Sequence, residues 1–204
     1  MLKVNELKIP LDAEYEDLAA AAAKALKRPR RRILSLRVTR RAVDSRNKND
    51  IVFVCNAEVT LDGDEAAVAS KCAPSRVQLA EKAVVSQPAL KRNSPFRPVI
   101  AGFGPAGIFA ALTLARAGLR PLVIERGRDA DTREKDIRRF WTSRQLDGNS
   151  NMQFGEGGAG TFSDGKLTTG IKNPLCRVVL EDLAAHGAPA EILYSAKPHI
   201  GTDK

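Results

Sequence analysis

Residues 99–127, VIAGFGPAGIFAALTLARAGLRPLVIERG, hold three closely spaced glycines and, further along, an acidic residue. Gly102 would permit a sharp turn, Gly104 would let a phosphate approach the backbone, and Gly107 would let a helix lie close to a strand. The N–H groups at the start of that helix would then face the phosphates. Glu125 follows at about the 20-residue distance at which a carboxylate accepts ribose hydroxyls. The pattern predicts a dinucleotide-binding site.

The elements around the motif are those that such a site requires. The sequence predicts a strand at 98–103, a helix at 105–117 and a second strand at 121–125. Pro105 suits the first helical turn, where no hydrogen bond is lost, and Gly118 is suited to ending the helix. The alternative is a glycine-rich turn that only packs a helix against a strand.

The same residues favour FAD over NAD as the dinucleotide. GFGPAG at 102–107 and ERG at 125–127 are typical of the flavoprotein version of this motif. An acidic residue at the end of the second strand, with no basic residue in its place, disfavours the 2′-phosphate of NADP.

A second glycine-rich segment, SNMQFGEGGAGTFSDGKL, covers 150–167. Such a turn can expose backbone N–H groups as an anion-binding nest, and we expect it to approach the cofactor. The alternative is a flexible surface loop, which Phe154 and Phe162 suit poorly. The segment holds no cysteine, so no redox dithiol is predicted in it. The candidate cofactor-binding residues are Gly102, Gly104, Pro105, Ala106, Gly107, Glu125, Arg126, Gly157, Gly158 and Gly160.

The amino-terminal part has a different pattern. Four elements are predicted: a strand at 2–9, a helix at 13–27, and strands at 33–46 and 51–61. Asp12 is predicted to cap the helix. This β-α-β-β order defines a small α+β module. Residues 62–98 are weakly helical at first and then contain a proline-rich linker over 87–98.

The remaining chain contains two predicted helices. The first covers about 131–141 and includes a Glu134–Arg138 pair. The second has Asn173 as its predicted N-cap and Pro174 at its first position, and it ends near His186. Residues 191–194 are a candidate strand.

The predicted fold class is therefore α/β. A small βαββ module with its linker, residues 1–95, precedes the amino-terminal, incomplete part of a Rossmann-like FAD-binding domain, residues 96–204.

Composition narrows the possible classes of protein. Cys55, Cys72 and Cys176 are widely spaced, which argues against a disulfide framework and a zinc site and suits a reducing compartment. The sequence has no signal-peptide pattern and no convincing membrane span, so a cytoplasmic location is expected. No metal site and no catalytic acid or base is predicted, and the oligomeric state stays open.

The net charge of +9 suits polyanionic partners without requiring one. The basic residues lie mainly in KRPRRR at 27–32 and at Arg37, Arg40, Arg41 and Arg46. They leave nucleic acid as a lesser alternative partner. Few aromatic residues lie between them, which argues against a stacking platform for single strands.

Four segments resemble one family over nearly the whole chain: DSRNKNDIVFVCNAEV (44–59), VIAGFGPAGIFAALTLARAG (99–118), FWTSRQLDGNSNMQFGEGGAGTFSDGKLTT (140–169) and KPHIGTDK (197–204). The family is that of uncharacterised FAD-dependent dehydrogenases, also called NAD(FAD)-utilising dehydrogenases. The resemblance implies an FAD domain interrupted by a second domain, with further flavin contacts nearer the carboxyl terminus.

Members of that family are much longer, so this chain is expected to be an amino-terminal fragment. Its incomplete sheet is then expected to expose apolar strand edges.

The resemblance and the glycine motif together predict an FAD-dependent oxidoreductase. A reduced nicotinamide, NAD(P)H, or an organic donor would pass hydride to the flavin, and the small-molecule substrate stays unassigned. Two alternatives remain: an RNA-associated flavoprotein that uses the basic module, and a truncated remnant without catalytic activity.

Overall fold

The computed structural model describes residues 1–80 and 95–201, and these fall into two compact units. The first unit comprises Met1–Val85 with Leu167–Pro198, and the second comprises Ser86–Lys166 with His199–Lys204. The predicted linker at 87–98 and the last residues of KPHIGTDK therefore lie largely outside the described residues.

The first unit begins with a mixed sheet-and-helix module. Its elements are β1 (Leu2–Ile9), α1 (Tyr15–Leu26), β2 (Ile33–Asp44), β3 (Val52–Leu61), α2 (Glu65–Ala69) and β4 (Val77–Leu79). The four strands lie in the order β2-β3-β1-β4, and every neighbouring pair is antiparallel. This β-α-β-β-α-β order with β1 and β3 in the centre is the split βαβ arrangement.

The core of this module follows from the alternation of apolar residues in β1 and β3. Leu2 and Val4 of β1 have no exposed surface, and Ala57 and Val59 of β3 lie on the same inner face. The inner face of α1 completes the core with residues four positions apart. These helical residues are Leu18, Ala22 and Leu26.

Two predictions for this module are wrong in detail. The helix begins at Tyr15 with Glu14 as its N-cap, because the Glu14 N–H donates to Asp17 Oδ2 (2.9 Å), whereas Asp12 lies in the preceding turn. Val77–Leu79 forms an edge strand and not a helix, because it pairs with the start of β1. The cap depends on the local capping box between Glu14 and Asp17, which the acidic residues of this stretch left ambiguous. The strand depends on pairing with the distant β1, which local propensity does not specify.

The second unit contains the predicted β-α-β order. Its elements are β5 (Val99–Ala101), α3 (Pro105–Arg116), β6 (Leu122–Ile124) and α4 (Ala130–Ser143). β5 and β6 are parallel, with Ile100 opposite Val123. Gly118 follows α3 with a φ of +80°, which confirms its predicted role at the helix end.

The two-stranded parallel sheet exposes much of its apolar side-chain surface, and the expectation about its strand edges stays a prediction. Val99 is 63% exposed and Ile124 is 55% exposed. Parallel sheets are ordinarily covered on both faces, so this surface is unusual for a parallel sheet.

The segment from Leu167 to Pro198 returns to the first unit, a grouping that the sequence did not predict. It holds α5 (Leu175–Ala185), whose N-cap is Pro174, one residue after the predicted Asn173. Asn173 supports the first turn, since its Oδ1 accepts the Leu175 N–H (2.9 Å). The predicted strand at 191–194 is wrong, because Ala190–Leu193 forms a 3₁₀ turn after Pro189. The predicted division of the chain near residue 95 stays a prediction.

The architecture is thus a mixed α/β structure with one antiparallel and one small parallel sheet. Among the described residues, no helix combines the length and apolar character that crossing a membrane requires.

The core of the first unit can be tested at Leu26. Leu26→Ala should lower the free energy of unfolding of this unit by about 2–4 kcal/mol, because Leu26 is 2% exposed and its removal leaves a cavity. Leu34→Ala, at a residue that is 66% exposed, should change it by less than about 0.5 kcal/mol. Hydrogen exchange of the β3 amides measures both, and equal effects would contradict this assignment of the core.

Candidate functional site

The turn between β5 and α3 has a backbone conformation that favours glycine. Gly102 has a φ of +93°, in the region that side chains rarely adopt. Its N–H donates to the Ile124 carbonyl oxygen (2.7 Å), which continues the pairing of the two parallel strands by one residue. The chain then turns into α3 with Gly104 as N-cap and Pro105 at the first helical position.

Gly107 and Gly104 are glycines for different reasons. A Cβ built at Gly107 would lie 2.0 Å from the Gly102 carbonyl oxygen, so a side chain there is sterically excluded. A Cβ at Gly104 would meet nothing closer than Gly158 Cα at 4.0 Å, and the φ of Gly104 is −77°. Neither a steric clash nor the backbone conformation explains why residue 104 is a glycine. Close approach of an external group to the backbone would explain it.

Glu125, at the end of β6, points into the glycine turn. Its Oε2 accepts the Phe103 N–H (2.7 Å) and its Oε1 accepts the Gly127 N–H (2.8 Å). These hydrogen bonds lower the pKa of the carboxyl group and keep it ionised, and the bond from Gly127 has a larger effect than that from Phe103. A carboxylate oxygen has two lone-pair positions, so each oxygen can accept a further donor.

The second glycine segment packs directly against this turn. The Gly157 N–H donates to the Phe103 carbonyl oxygen (2.8 Å). A Cβ built at Gly158 would lie 3.3 Å from both Gly104 Cα and Pro105 Cδ. The structure therefore brings together the two glycine clusters that the sequence identified separately.

The amides of the second segment are used differently from the anion-binding nest that the sequence predicts. The Gly157 and Gly158 N–H groups donate to the carbonyl oxygens of Phe103 and Gly155. These two hydrogen bonds hold the loop in place. The loop contributes to the site through Gly158, which lies close to Gly104. Gly160 lies in the 3₁₀ turn Gly158–Gly160, where a Cβ would meet nothing within 4 Å.

Arg133 of α4 holds the second segment in this position, and its side chain has no exposed surface. Its guanidinium donates to the carbonyl oxygens of Asn151 (2.9 Å) and Gly158 (3.0 Å), and also to that of Glu156. It lies over the Phe162 ring, 4.9 Å from the centroid. Burial lowers the pKa of Arg133, but an arginine remains protonated at neutral pH.

Two neighbouring contacts extend this network. Asp136 accepts from Arg139 (2.9 Å) and from the Ser150 hydroxyl (2.6 Å), which ties the start of the second segment to α4. The predicted site residue Arg126 lies over the Phe154 ring, 5.2 Å from its centroid.

Sequence patterns did not identify Arg133 as part of the site. Arg133, Asp136 and Ile137 share the buried face of α4 at spacings of three and four residues. Because two of these three residues are charged, the sequence of α4 resembles that of a helix whose charged face is exposed to solvent. The predicted exposed pair is confirmed, since Arg138 donates to Glu134 Oε1 (3.1 Å from Nε).

The basic residues of the first unit are extensively paired with carboxylates. Arg32 donates to Asp62 (2.5 Å) and Arg46 to Asp44 (2.7 Å). Further ion pairs join Arg30 to Glu16, Arg37 to Glu58 and Arg41 to Glu191. These pairs offset part of the positive charge on which the nucleic-acid alternative depends. Among the described residues, no group of His, Cys, Asp or Glu could hold a metal ion.

Comparison with known proteins adds two findings. Residues 1–60 match the model of a domain of unknown function, DUF8436. The chain is 42% identical over 203 residues to a protein of Clostridium beijerinckii that is named an uncharacterized protein. The alignment covers 99% of this chain and 38% of that relative. The chain therefore spans well under half the length of the relative it matches.

The role of Arg133 can be tested by Arg133→Lys. A lysine cannot reach several diverging carbonyl oxygens at once, so the second unit should lose about 2–4 kcal/mol of unfolding free energy. Arg138→Lys, on the exposed face of the same helix, should cost less than about 0.5 kcal/mol. Urea unfolding followed by the fluorescence of Trp141, the single tryptophan, measures both. A tolerated Arg133→Lys would show that the carbonyl contacts are not needed.

The Glu125 contacts predict a dependence on pH. The pKa is lowered in the folded state, so this stabilisation is present above the unfolded value near 4.5 and is lost as pH falls through the folded pKa. Glu125→Gln should cost the second unit about 1–2 kcal/mol at pH 7, and the difference from wild type should shrink below about pH 4. Trp141 fluorescence in urea at several pH values measures this.

Glu134→Gln provides the matched control for loss of a carboxylate. It should cost less than about 0.5 kcal/mol at pH 7, because its ion pair with Arg138 is exposed. A difference between wild type and Glu125→Gln that stays constant with pH would contradict the assigned role of the carboxylate.

Proposed function

We propose that the second unit binds FAD through the turn at Gly102–Gly107 and that the whole protein is an FAD-dependent oxidoreductase. The observation that carries the proposal is Gly104, whose position has space for a side chain and lies at the start of a helix between parallel strands. A backbone that must touch a pyrophosphate explains why no side chain is present there.

The surrounding residues fit the other parts of a dinucleotide. The first turn of α3, which includes Ala106 and Gly107, presents N–H groups without acceptors inside the helix, and the helix dipole favours negative charge at this end. Glu125 is ionised and lies against the same turn, where its remaining lone pairs suit ribose hydroxyl donors. These features together support the Rossmann-like interpretation of β5, α3 and β6.

The loop held by Arg133 would form one wall of the site. Gly158 packs close to Gly104 and Pro105, so a bulkier residue at 158 would push the loop away from the turn. When bound, FAD supplies the two-electron redox chemistry, and this chain supplies binding and orientation. FAD is favoured over NAD because of the motif residues, and NAD(P)H is proposed as electron donor to the whole protein.

The relative is more than twice the length of this chain, so turnover is proposed only for the whole protein. A cytoplasmic location and an unassigned small-molecule substrate belong to the same proposal. For this chain, the proposal concerns cofactor binding, which can be measured without activity.

Cofactor binding can be tested by two glycine substitutions. Gly104→Ala should leave the free energy of unfolding within about 0.5 kcal/mol of wild type, because a Cβ there has ordinary contacts, yet it should weaken FAD binding at least about tenfold. Gly107→Ala should destabilise the second unit, because its Cβ would meet the Gly102 carbonyl. Trp141 fluorescence and the visible spectrum of refolded protein measure stability and bound flavin.

Gly170→Ala is the matched control, since a Cβ there would meet nothing within 4 Å and the residue lies outside the proposed site. It should bind FAD as wild type does. Tighter binding of NAD than of FAD would overturn the choice of cofactor. Unchanged FAD binding by Gly104→Ala, or no uptake of FAD by wild type, would overturn the proposal.

A further inference from the structure

The first unit contains a cavity of about 410 Å³ on the α1 side of its sheet, within the range of small-molecule sites. Its most buried lining residues are Ile9, Leu18 and Cys55, which are 7%, 4% and 1% exposed. They provide an apolar floor formed by β1, α1 and β3. The opposite wall comes from the 3₁₀ turn Ala190–Leu193 and from Tyr194, which follows it.

Arg41 lines this cavity in an orientation fixed by two aromatic rings. Its guanidinium carbon lies 4.9 Å from the ring centroids of both Phe53 and Tyr194. The backbone of Arg41 is also held in place, because its N–H donates to the Tyr194 carbonyl oxygen (2.6 Å). A guanidinium held in this way loses little side-chain freedom when it binds an anion.

The carboxylate that pairs with Arg41 is replaceable. Glu191 Oε1 meets one terminal nitrogen of Arg41 at 3.2 Å, and the Glu191 side chain is 63% exposed. An exposed ion pair of this kind contributes little net stability, so a second carboxylate can displace Glu191 from Arg41. Arg177 brings another guanidinium to the lining, and its partner Glu181 is also half exposed.

We propose that this cavity binds a small amphipathic carboxylate, with its apolar body on the floor and its anionic group on Arg41. The combination of a buried apolar floor with an oriented guanidinium is what such a molecule requires. The site lies within the first unit and does not depend on the proposed flavin site. It gives the first unit, in which the split βαβ module and the Leu167–Pro198 segment together line the cavity, a ligand-binding role.

The probe for this site is 3-phenylpropionate, and the neutral 3-phenylpropanamide is its matched control. Titration of the full chain should shift the amide resonances of Leu18 and Cys55 with a dissociation constant in the millimolar range, about what a ligand of this size allows. Arg41→Gln should weaken binding at least about fivefold, and Glu191→Gln should tighten it about threefold, because a competing carboxylate is removed.

The two substitutions act in opposite directions, so loss of folding cannot reproduce the expected result. If Arg41→Gln fails to fold, as amide dispersion would show, Glu191→Gln alone still decides the outcome. Equal binding of the amide and the acid, absence of shifts with the acid at about 20 mM, or unchanged affinity in Glu191→Gln would overturn the proposal.

Discussion

The arrangement of the second unit depends on one buried positive charge that is held by backbone carbonyl oxygens. Removing a guanidinium from water is costly unless its donors are satisfied. Arg133 meets carbonyl oxygens of Asn151, Met152, Glu156 and Gly158, so this stretch must keep the conformation that directs them inward. Gly155 belongs to the same constraint, since a Cβ there would lie 2.3 Å from Arg133 Cδ.

This constraint connects the interior of α4 to the candidate site. The loop that Arg133 holds also packs against Gly104 through Gly158 and hydrogen-bonds to Phe103 through Gly157. Phe103 in turn donates to Glu125 at the end of the neighbouring strand. Direct contacts therefore connect the buried arginine, through the loop, to the glycine turn.

The first unit is stabilised in a different way. Its antiparallel sheet is covered by an amphipathic helix, and its inner face is closed by apolar residues of β1 and β3. The outer positions pair charges across neighbouring strands, as Arg37 does with Glu58. The segment around Tyr194 extends this unit beside β2 and forms the wall of a cavity that the βαββ pattern alone would not contain.

The sequence by itself determined the elements with strong local signals. Alternating apolar residues specified β1 and β3, and the glycine pattern after an apolar strand specified the β5–α3–β6 order, because these periods and turn requirements are local. Tertiary structure decided the rest. Val77–Leu79 became a strand only by pairing with β1, the two glycine segments met only through long-range packing, and Arg133 became buried because distant carbonyl oxygens satisfy it. Local patterns cannot specify these outcomes, since each depends on partners that are far apart in the chain.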